Sequence, residues 1–219
     1  MVKDFLGINS FENKLRRRGF SLIAGADESG RGALAGPLVA AAVILPPRGV
    51  YVPNLRECKK VSPSSREELY ELVTALAVGW SVVILESAVV DSLGLQKTNL
   101  QALEQAVQQL PVRPDYILSD GFPLPELDLP HLALIKGDAV SATIAAASIV
   151  SKVTRDRLMR DWHERHPNYG FDRNKGYGTK EHLKALEKYG PCPIHRRCFA
   201  PVVKRARKRT GRKEAHVPR

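Results

Sequence analysis

Residues 23–45 read IAGADESGRGALAGPLVAAAVIL, in which two apolar runs flank a Gly-Arg-Gly turn at 30–32. Apolar runs of this length on either side of a glycine-rich turn predict two strands of a buried hairpin. The first run ends on two adjacent acids, Asp27 and Glu28. Because neighbouring side chains of a strand point to opposite faces, both acids cannot be solvated if a central strand includes them.

The two acids admit two interpretations. If the strand ends at Ala26, both lie in the turn and are ordinary surface charges. If the strand includes them, at least one carboxylate is buried, which costs several kcal/mol unless it is paired or bound to a metal. Glycine in the following turn lets bare backbone approach a ligand, which favours a functional site.

The composition favours one large domain with a small appendage, since 43% of the 219 residues are hydrophobic. The longest apolar run, 34–45, is interrupted by Gly36 and Pro37 and falls short of the ~20 residues that cross a bilayer. Residues 1–20 contain no apolar signal-peptide core. We therefore expect a cytoplasmic protein with no membrane partner and no obligate protein partner.

The charge is concentrated at one end of the chain. The formal net charge is +11, and residues 204–219 contain eight Lys or Arg and one Glu, a net +7. Such a tail is typical of a disordered segment that contacts nucleic acid, although it could serve only solubility. We predict a short N-terminal segment at 1–20, a main domain at 21–203 and a disordered basic tail at 204–219.

The three cysteines do not suggest a disulfide framework, because their number is odd. Cys192, His195 and Cys198 have a spacing that could suggest zinc. A closed zinc site needs four ligands, and no nearby fourth ligand is evident. The sequence therefore favours free thiols.

The remaining pattern predicts an α/β protein with a mixed sheet flanked by helices. Strands are predicted at 22–26, 37–45, 80–86, 115–119 and 132–135. Helices are predicted at 11–20, 63–77, 95–110, 139–166 and 180–189, with loops at 51–62 and 168–178. Ser62 and Thr179 are the expected helix caps.

Two further acids follow short apolar runs, Asp120 after the fourth strand and Asp138 after the fifth. Each lies beside a glycine, so ordinary turn chemistry is the alternative for either one. Ligand groups gather at strand ends in open α/β sheets, so these acids could meet Asp27 and Glu28. Clustered carboxylates need cations between them, and oxygen ligands without Cys or His select Mg²⁺ or Mn²⁺. Two such ions about 3.5–4 Å apart are the usual device for phosphodiester hydrolysis.

Several motifs in the same order make the chain resemble the ribonuclease HII family, the type 2 ribonucleases H, from about residue 24 to 201. The motifs are DESGRG at 27–32, SDG at 119–121, KGDAVSATIAAASIVSKVTRDR at 136–157, YGF at 169–171, KGYGT at 175–179 and HRRCFAPV at 195–202. The resemblance implies a ribonuclease H-like five-stranded mixed β-sheet with a helical C-terminal part. It also implies that Asp27, Glu28, Asp120 and Asp138 are the catalytic, metal-binding acids.

The same resemblance implies how substrate is bound. Gly30, Arg31 and Gly32 match the turn that reads the ribose 2′-hydroxyl, and Tyr177 matches the aromatic that packs on the sugar to the 3′ side. Lys59 and Lys60 match a phosphate-contacting loop. That loop departs from the family pattern, however, because Glu-Cys-Lys-Lys at 57–60 stands where Asp-Ser-Lys-Lys is common. The related type 3 enzymes usually carry Gly-Thr-Gly in the turn and a longer N-terminal domain, so type 2 fits better.

Asp156 is a possible outer-shell acid. It lies 18 residues after Asp138, which is five helical turns if one helix begins at Asp138. Ser148, Lys152 and Asp156 share one face of that helix. Asp156 could instead form an ion pair with Lys152, and the spacing favours this reading slightly.

The implied activity is hydrolysis of the RNA strand of RNA·DNA hybrids, and incision 5′ to single ribonucleotides embedded in duplex DNA during replication or repair, leaving a 5′-phosphate. Two alternatives remain open. A non-catalytic, basic nucleic-acid-binding protein on the same fold would be expected to have lost an acid, and all four are present. A related nuclease for structured DNA would not need a reader of the 2′-hydroxyl.

Overall fold

The computed structural model describes residues 8, 10–47, 52, 55 and 62–206. Its strands are β1 (Ile23–Ser29), β2 (Leu38–Ile44), β3 (Gly79–Leu85), β4 (Tyr116–Asp120) and β5 (His131–Leu134). Its helices are α1 (Ser10–Arg16), α2 (Pro63–Leu76), α3 (Ser87–Leu93), α4 (Leu95–Gln108), α5 (Ala142–Arg165), α6 (Phe171–Asn174) and α7 (Lys180–Tyr189), and 3₁₀ turns occur at Gly137–Ala139 and Pro167–Tyr169. No helix in this described part is long and apolar enough to cross a membrane.

The five strands form one mixed sheet in the order β3-β2-β1-β4-β5. β1 and β2 are the predicted hairpin and pair in antiparallel register. β4 runs parallel to β1, and β5 runs parallel to β4. The predicted class, a five-stranded mixed sheet with flanking helices, is confirmed.

The chain divides into two compact units. The first comprises the described residues of 1–29, 39–84 and 99–154, and the second those of 30–38, 85–98 and 155–219. The sheet belongs almost entirely to the first unit, and α6 and α7 belong to the second. The predicted domain limits at 20/21 and 203/204 stay a prediction.

The core of the first unit is built so that α5 lies directly against β1. A β-carbon on Gly25 would lie 2.0 Å from the main-chain carbon of Thr143, so only glycine permits this approach. Three consecutive alanines of α5, 145–147, are fully buried. Small residues on both elements therefore bring the first turns of α5 up to the strand that carries Asp27.

A buried carboxylate ties the N-terminal segment to the start of α5. Glu12, which is fully buried, accepts hydrogen bonds from Ser141 Oγ at 2.7 Å and from Thr143 N at 3.0 Å. A negative charge at this end complements the unsatisfied N–H groups and the dipole of a 24-residue helix. No local sequence pattern marks this role, because Ser141 and Thr143 lie 129 and 131 positions after Glu12.

Most predicted elements are found within a few residues of their expected bounds, and the caps at Ser62 and Thr179 are confirmed. Four differences stand out. α1 ends at Arg16 instead of residue 20. The helix α3 was not predicted, because it is separated from α4 only by Gly94. The predicted loop 168–178 contains α6, and residues 200–206 are helical, so the first three residues of the predicted disordered tail belong to a helix.

The helix predicted at 139–166 begins three residues later, at Ala142, and the condition that one helix begins at Asp138 is not met. Residues 137–139 form a separate 3₁₀ turn, preceded by Lys136 in the left-handed region at φ 53°, and α5 begins at Ala142. Asp138 and Asp156 are therefore not on one continuous helix. The spacing of 18 residues therefore gives no support for Asp156 as an outer-shell acid.

Candidate active site

The first two acids lie inside β1, so the interpretation that both belong to the turn is wrong. β1 continues to Ser29, and Asp27 and Glu28 pair with Ala41 and Ala40 of the neighbouring strand. Asp27 is 4% exposed, and Glu28 is half-buried. The hairpin holds them in place through ladder hydrogen bonds, which leave no freedom for the backbone to carry either carboxylate into solvent.

The third acid is brought to the same end of the sheet by the parallel pairing of β1 and β4. Ala26 pairs with Ser119, so Asp27 and Asp120 each follow their paired residue by one position. Asp120 Oδ1 accepts a hydrogen bond from Gly137 N at 2.7 Å. The side chain of Asp120 therefore reaches the 3₁₀ turn that contains the fourth acid, Asp138, which is 9% exposed.

Burial and like charges together destabilise the ionised form of Asp27. Its pKa is raised well above the ordinary value of 3.8, first by desolvation, then by the charges of Glu28 and Asp120. A hydrogen bond from the Ser148 side chain and one from Glu28 N, at 2.7 Å, act in the opposite direction but do not cancel it. Asp27, Glu28 and Asp120 thus form one electrostatically coupled group.

The donor chemistry of this group fits a hard divalent cation. All four predicted acids present oxygen ligands, and a cation would offset the desolvation and repulsion that raise the pKa of Asp27. Within the described residues, however, no three His, Cys, Asp or Glu side chains are arranged to hold a metal ion. Asp27 Oδ1 and Asp120 Oδ1 each accept one main-chain N–H group, and a carboxylate oxygen that accepts one hydrogen bond keeps a second lone pair for a cation.

Ser148 was noted in the sequence only as part of a helix face, and the structure gives it a direct contact. It lies in the second turn of α5 and is buried, and its hydroxyl donates to Asp27. The close approach of α5 to Gly25 accounts for this contact. No sequence pattern around Ser148 marks it as a partner of a residue 121 positions away.

The predicted reader turn, residues 30–32, belongs to the second unit, where two buried arginines hold the chain that leads away from it. Arg155 donates to the carbonyls of Pro37 (2.9 Å) and Ala35 (3.1 Å). Arg196 donates to the carbonyls of Gly36 (3.0 Å) and Arg31 (3.0 Å). Charge-assisted hydrogen bonds of this kind are among the strongest that neutral acceptors make.

The two glycines of the reader turn differ in a way that the sequence does not reveal. Gly30 has φ +92°, and a β-carbon there would lie 2.0 Å from Arg155 Nε. Gly32 has ordinary backbone angles, and a β-carbon there would meet nothing within 4 Å. Gly30 is therefore required by the fold of the unit, whereas nothing within the described chain requires glycine at position 32.

Tyr177, the predicted sugar-packing residue, also lies in the second unit. It is 37% exposed, and the guanidinium of Arg155 lies 5.4 Å from the centre of its ring. Arg155 also donates to the carbonyl of Lys175 at 2.9 Å. One buried arginine therefore contacts the segment after the reader turn, the segment before Tyr177 and the ring itself.

Burial lowers the pKa of both arginines. Desolvation is the main cause for each, and Arg155 lowers the pKa of Arg196 further, to about 10. Two guanidinium groups thus bind the main chain of the predicted reader turn and of the segment that follows it. Neither arginine was singled out from the sequence, because their acceptors are main-chain carbonyls, which carry no sequence signal.

The remaining predicted residues have different outcomes. Lys59 and Lys60 lie outside the described residues. Asp156 belongs to the second unit, and its assignment as an outer-shell acid stays a prediction. Cys192 and Cys198 are free thiols, as expected. Cys192 is buried against His195, whereas the Cys198 backbone N–H binds Asp91 Oδ1 at 2.9 Å.

Comparison with known proteins gives a consistent result. The model of the family "Ribonuclease HII" matches residues 24–202. Solved structures with a similar fold include ribonuclease H2 from Pyrococcus horikoshii OT3, with TM-score 0.72 and 24% identity over 85% of this chain and 97% of that one. Bst-RNase HIII in complex with Mn²⁺ gives TM-score 0.66 and 20% identity over 88% of this chain and 71% of that one. The fold is that of the type 2 and type 3 ribonucleases H.

Sequence similarity places the chain within that class. Ribonuclease HII of Pelotomaculum thermopropionicum is 49% identical over 88% of this chain and 73% of its own length. Ribonuclease HII of Bacillus subtilis is 48% identical over 92% of this chain and 78% of its own length. The chain belongs to the ribonuclease HII family, and its enzyme class is ribonuclease H, as predicted.

Proposed function

We propose that this chain is a divalent-metal-dependent endonuclease that cuts the RNA strand of RNA·DNA hybrids and incises on the 5′ side of single ribonucleotides in duplex DNA. It would leave a 5′-phosphate at the cut and take part in ribonucleotide removal during replication or repair. The observation that carries the proposal is the coupled group at the ends of β1 and β4, where burial, Glu28 and Asp120 raise the pKa of Asp27.

The four acids would hold the metal. Asp27 and Asp120 lie near the C-terminal ends of adjacent parallel strands, and the Gly137 N–H joins Asp120 to the turn that carries Asp138. Two Mg²⁺ or Mn²⁺ ions would supply activation of the attacking water and stabilisation of the leaving oxygen. Ser148 would keep the Asp27 carboxylate oriented, since its hydroxyl already donates to that group.

The reader turn would supply selectivity for ribose. It begins two positions after Glu28 in the chain, and Gly32 is open enough for a sugar edge to approach its main chain. The 2′-hydroxyl is both a donor and an acceptor, and it distinguishes RNA from DNA at one nucleotide. A site that bonds a hydroxyl rejects a substrate without it, because the polar groups of the site are then left unpaired.

The substrate backbone would be bound by positive charge. Arg31 can contact phosphate in a forked geometry, and Tyr177 exposes part of its ring for packing against the adjacent sugar. Lys59, Lys60 and the basic tail would add phosphate contacts. The Archaeoglobus fulgidus RNase HII, whose fold gives TM-score 0.68 at 24% identity, was solved in a complex with PCNA, so a clamp protein is a reasonable partner to test.

The test is one cleavage assay on three matched duplexes: all DNA, DNA with one ribonucleotide, and an RNA·DNA hybrid. With Mg²⁺ or Mn²⁺ we expect cuts in the hybrid and 5′ to the ribonucleotide, no cuts in all-DNA duplex, and no activity in a chelator. Equal cutting of all three duplexes would indicate a nuclease that does not read ribose. Binding without cleavage in either metal would indicate a non-catalytic nucleic-acid-binding protein.

The matched variants are Asp120→Asn and Asp128→Asn. A neutral amide is a poorer ligand for a hard cation, so Asp120→Asn should lower cleavage by orders of magnitude while circular dichroism remains unchanged. Asp128 is an exposed acid outside the coupled group, and its variant should cleave as the parent does. A folded Asp120→Asn protein with near-normal turnover would remove Asp120 from the site.

A further inference from the structure

A pair of buried histidines lies behind the exposed ring of Tyr177 in the second unit. His182 and His195 are 0% and 1% exposed, and their Nε2 atoms are 3.0 Å apart. Tyr169 and Phe171 enclose them, with ring centres 5.0 Å from His195 and 5.4 Å from His182. The proposed reaction assigns no role to either imidazole.

The hydrogen bonds fix where each proton lies. The main-chain N–H of Cys192 donates to His195 Nδ1 at 3.0 Å, so that nitrogen must be an acceptor. Neutral His195 therefore carries its proton on Nε2 and donates it to His182 Nε2. His182 in turn carries its proton on Nδ1, which lies 2.9 Å from the carbonyl oxygen of Tyr177. The result is a chain with one direction, from Cys192 through both rings to Tyr177.

This chain ends at the part of the molecule predicted to touch the sugar. The Tyr177 carbonyl accepts two hydrogen bonds within the described contacts. One comes from the main chain, from Thr179 N at 2.8 Å, and the other comes from a side chain, that of His182. The Tyr177 main chain is thus held by His182, and its ring has Arg155 5.4 Å from its centre. A residue held at its main chain and contacted at its ring loses little further freedom when it packs on a substrate.

We propose that His182, oriented by His195, is a positioning residue that sets the Tyr177 ring for contact with the sugar. The proposal deepens the proposed function and rests on the sugar contact assigned there to Tyr177. Burial lowers the pKa of both imidazoles, that of His195 to about 4. Burial therefore favours the neutral form of both rings, which the direction of the hydrogen-bonded chain requires.

Two substitutions at one position separate positioning from packing. The amide of Asn lies near the place of His Nδ1, so His182→Asn keeps a donor to the Tyr177 carbonyl and loses the partner of His195. The amide of Gln lies near the place of His Nε2, so His182→Gln keeps the partner of His195 and loses the donor to Tyr177. Each variant keeps one of the two hydrogen bonds, so their thermal stabilities should be similar.

Their cleavage rates should differ. A misplaced contact costs about ten- to a hundredfold in rate, so the single-turnover rate of His182→Gln at an embedded ribonucleotide should fall by that factor. His182→Asn should stay within about threefold of the parent, and both variants should bind all-DNA duplex normally. Equal rates in the two variants, or rates that simply follow their stabilities, would overturn the proposal.

A double-mutant cycle with Tyr177→Ala tests whether His182 acts through Tyr177. If it does, His182→Gln should have no further effect on cleavage once the ring is absent, while its effect on stability persists. Additive losses of cleavage would overturn the proposal. Full cleavage by Tyr177→Ala alone would overturn both this proposal and the sugar contact, whereas a defective Tyr177→Ala beside a normal His182→Gln would overturn this proposal only.

A measurement on the unaltered protein covers the case in which a variant fails to fold. Long-range ¹H–¹⁵N NMR reports which nitrogen of each imidazole carries the proton. We expect His182 to be protonated on Nδ1 and His195 on Nε2. The opposite tautomer at His182 would leave no donor for the Tyr177 carbonyl and would overturn the proposal.

Discussion

Replacing Gly32 by alanine is the sharpest test of the reader turn, because the structure predicts opposite effects on folding and on cleavage. Gly32 has ordinary backbone angles and 4 Å of free space where the β-carbon would lie. Glycine-to-alanine changes at such positions stabilise a protein by about 0.4–1 kcal/mol, since the unfolded chain loses freedom. For a chain of this size that corresponds to a rise in Tm of about 1–4 °C.

Gly30→Ala is the matched control, because the same atom added two positions earlier meets Arg155. The residue has φ +92°, and the new β-carbon would lie 2.0 Å from Arg155 Nε. Left-handed backbone costs about 1–2 kcal/mol for a residue other than glycine. A displaced Arg155 also loses charged hydrogen bonds worth about 1.5–3 kcal/mol each. The expected loss of about 3–5 kcal/mol lowers Tm by about 6–20 °C.

The assay combines thermal unfolding with single-turnover cleavage of duplex DNA that carries one ribonucleotide. If substrate approaches the main chain at position 32, Gly32→Ala should be at least as stable as the parent, bind all-DNA duplex normally and lose cleavage at the ribonucleotide. Full rate and selectivity in this variant would refute the role of Gly32 and leave Tyr177 as the main candidate reader. A fall in Tm like that of Gly30→Ala would refute the steric argument itself.

Three further predictions concern charge. In metal-free buffer Asp27→Asn should raise Tm at neutral pH. The pKa of Asp27 is raised on folding, so the folded state binds the proton more tightly and the free energy of unfolding falls as pH rises from 3.8 through the raised pKa. The variant should lack this part of the pH dependence. If the pH dependence of Tm is the same in the variant and the parent, folding does not raise the pKa of Asp27. Deleting residues 207–219, which carry a net charge of +5, should weaken duplex binding at low salt. It should also flatten the slope of log K against log salt, to which each phosphate contact adds about −0.9, while turnover at saturating substrate is kept. An unchanged slope would indicate that the tail serves only solubility. Arg155→Lys should lower Tm by about 10 °C because lysine cannot bond three separated carbonyls. The control is Arg160→Lys at an exposed position, which should leave Tm unchanged. Equal Tm values for the two variants would show that the hydrogen bonds of Arg155 do not contribute to stability.

Local chemistry predicted the helices that have clear ends. α7 has Thr179 as its cap and Gly190 as its stop, and both lie where the sequence placed them. The start of α5 was misplaced for a physical reason. Residues 139–141 have the same composition as the helix. However, Asp120 accepts a hydrogen bond from Gly137 N in the 3₁₀ turn, and Glu12, which is distant in the chain, accepts one from Thr143 N in the first turn of α5. A boundary set by distant partners has no local signal.

Sequence alone determined the strand hairpin and the class of fold, and it singled out the four acids as candidates, because short apolar runs, turn glycines and a rare order of motifs are properties of neighbouring residues. Only the tertiary structure decided which groups surround them. It placed Ser148 on Asp27 through the contact of α5 with Gly25, made glycine obligatory at 30 but not at 32 through Arg155, and directed a buried histidine pair at Tyr177. These partners meet through main-chain carbonyls and close packing, which almost any sequence provides, so their effect depends on distance and direction in the folded chain.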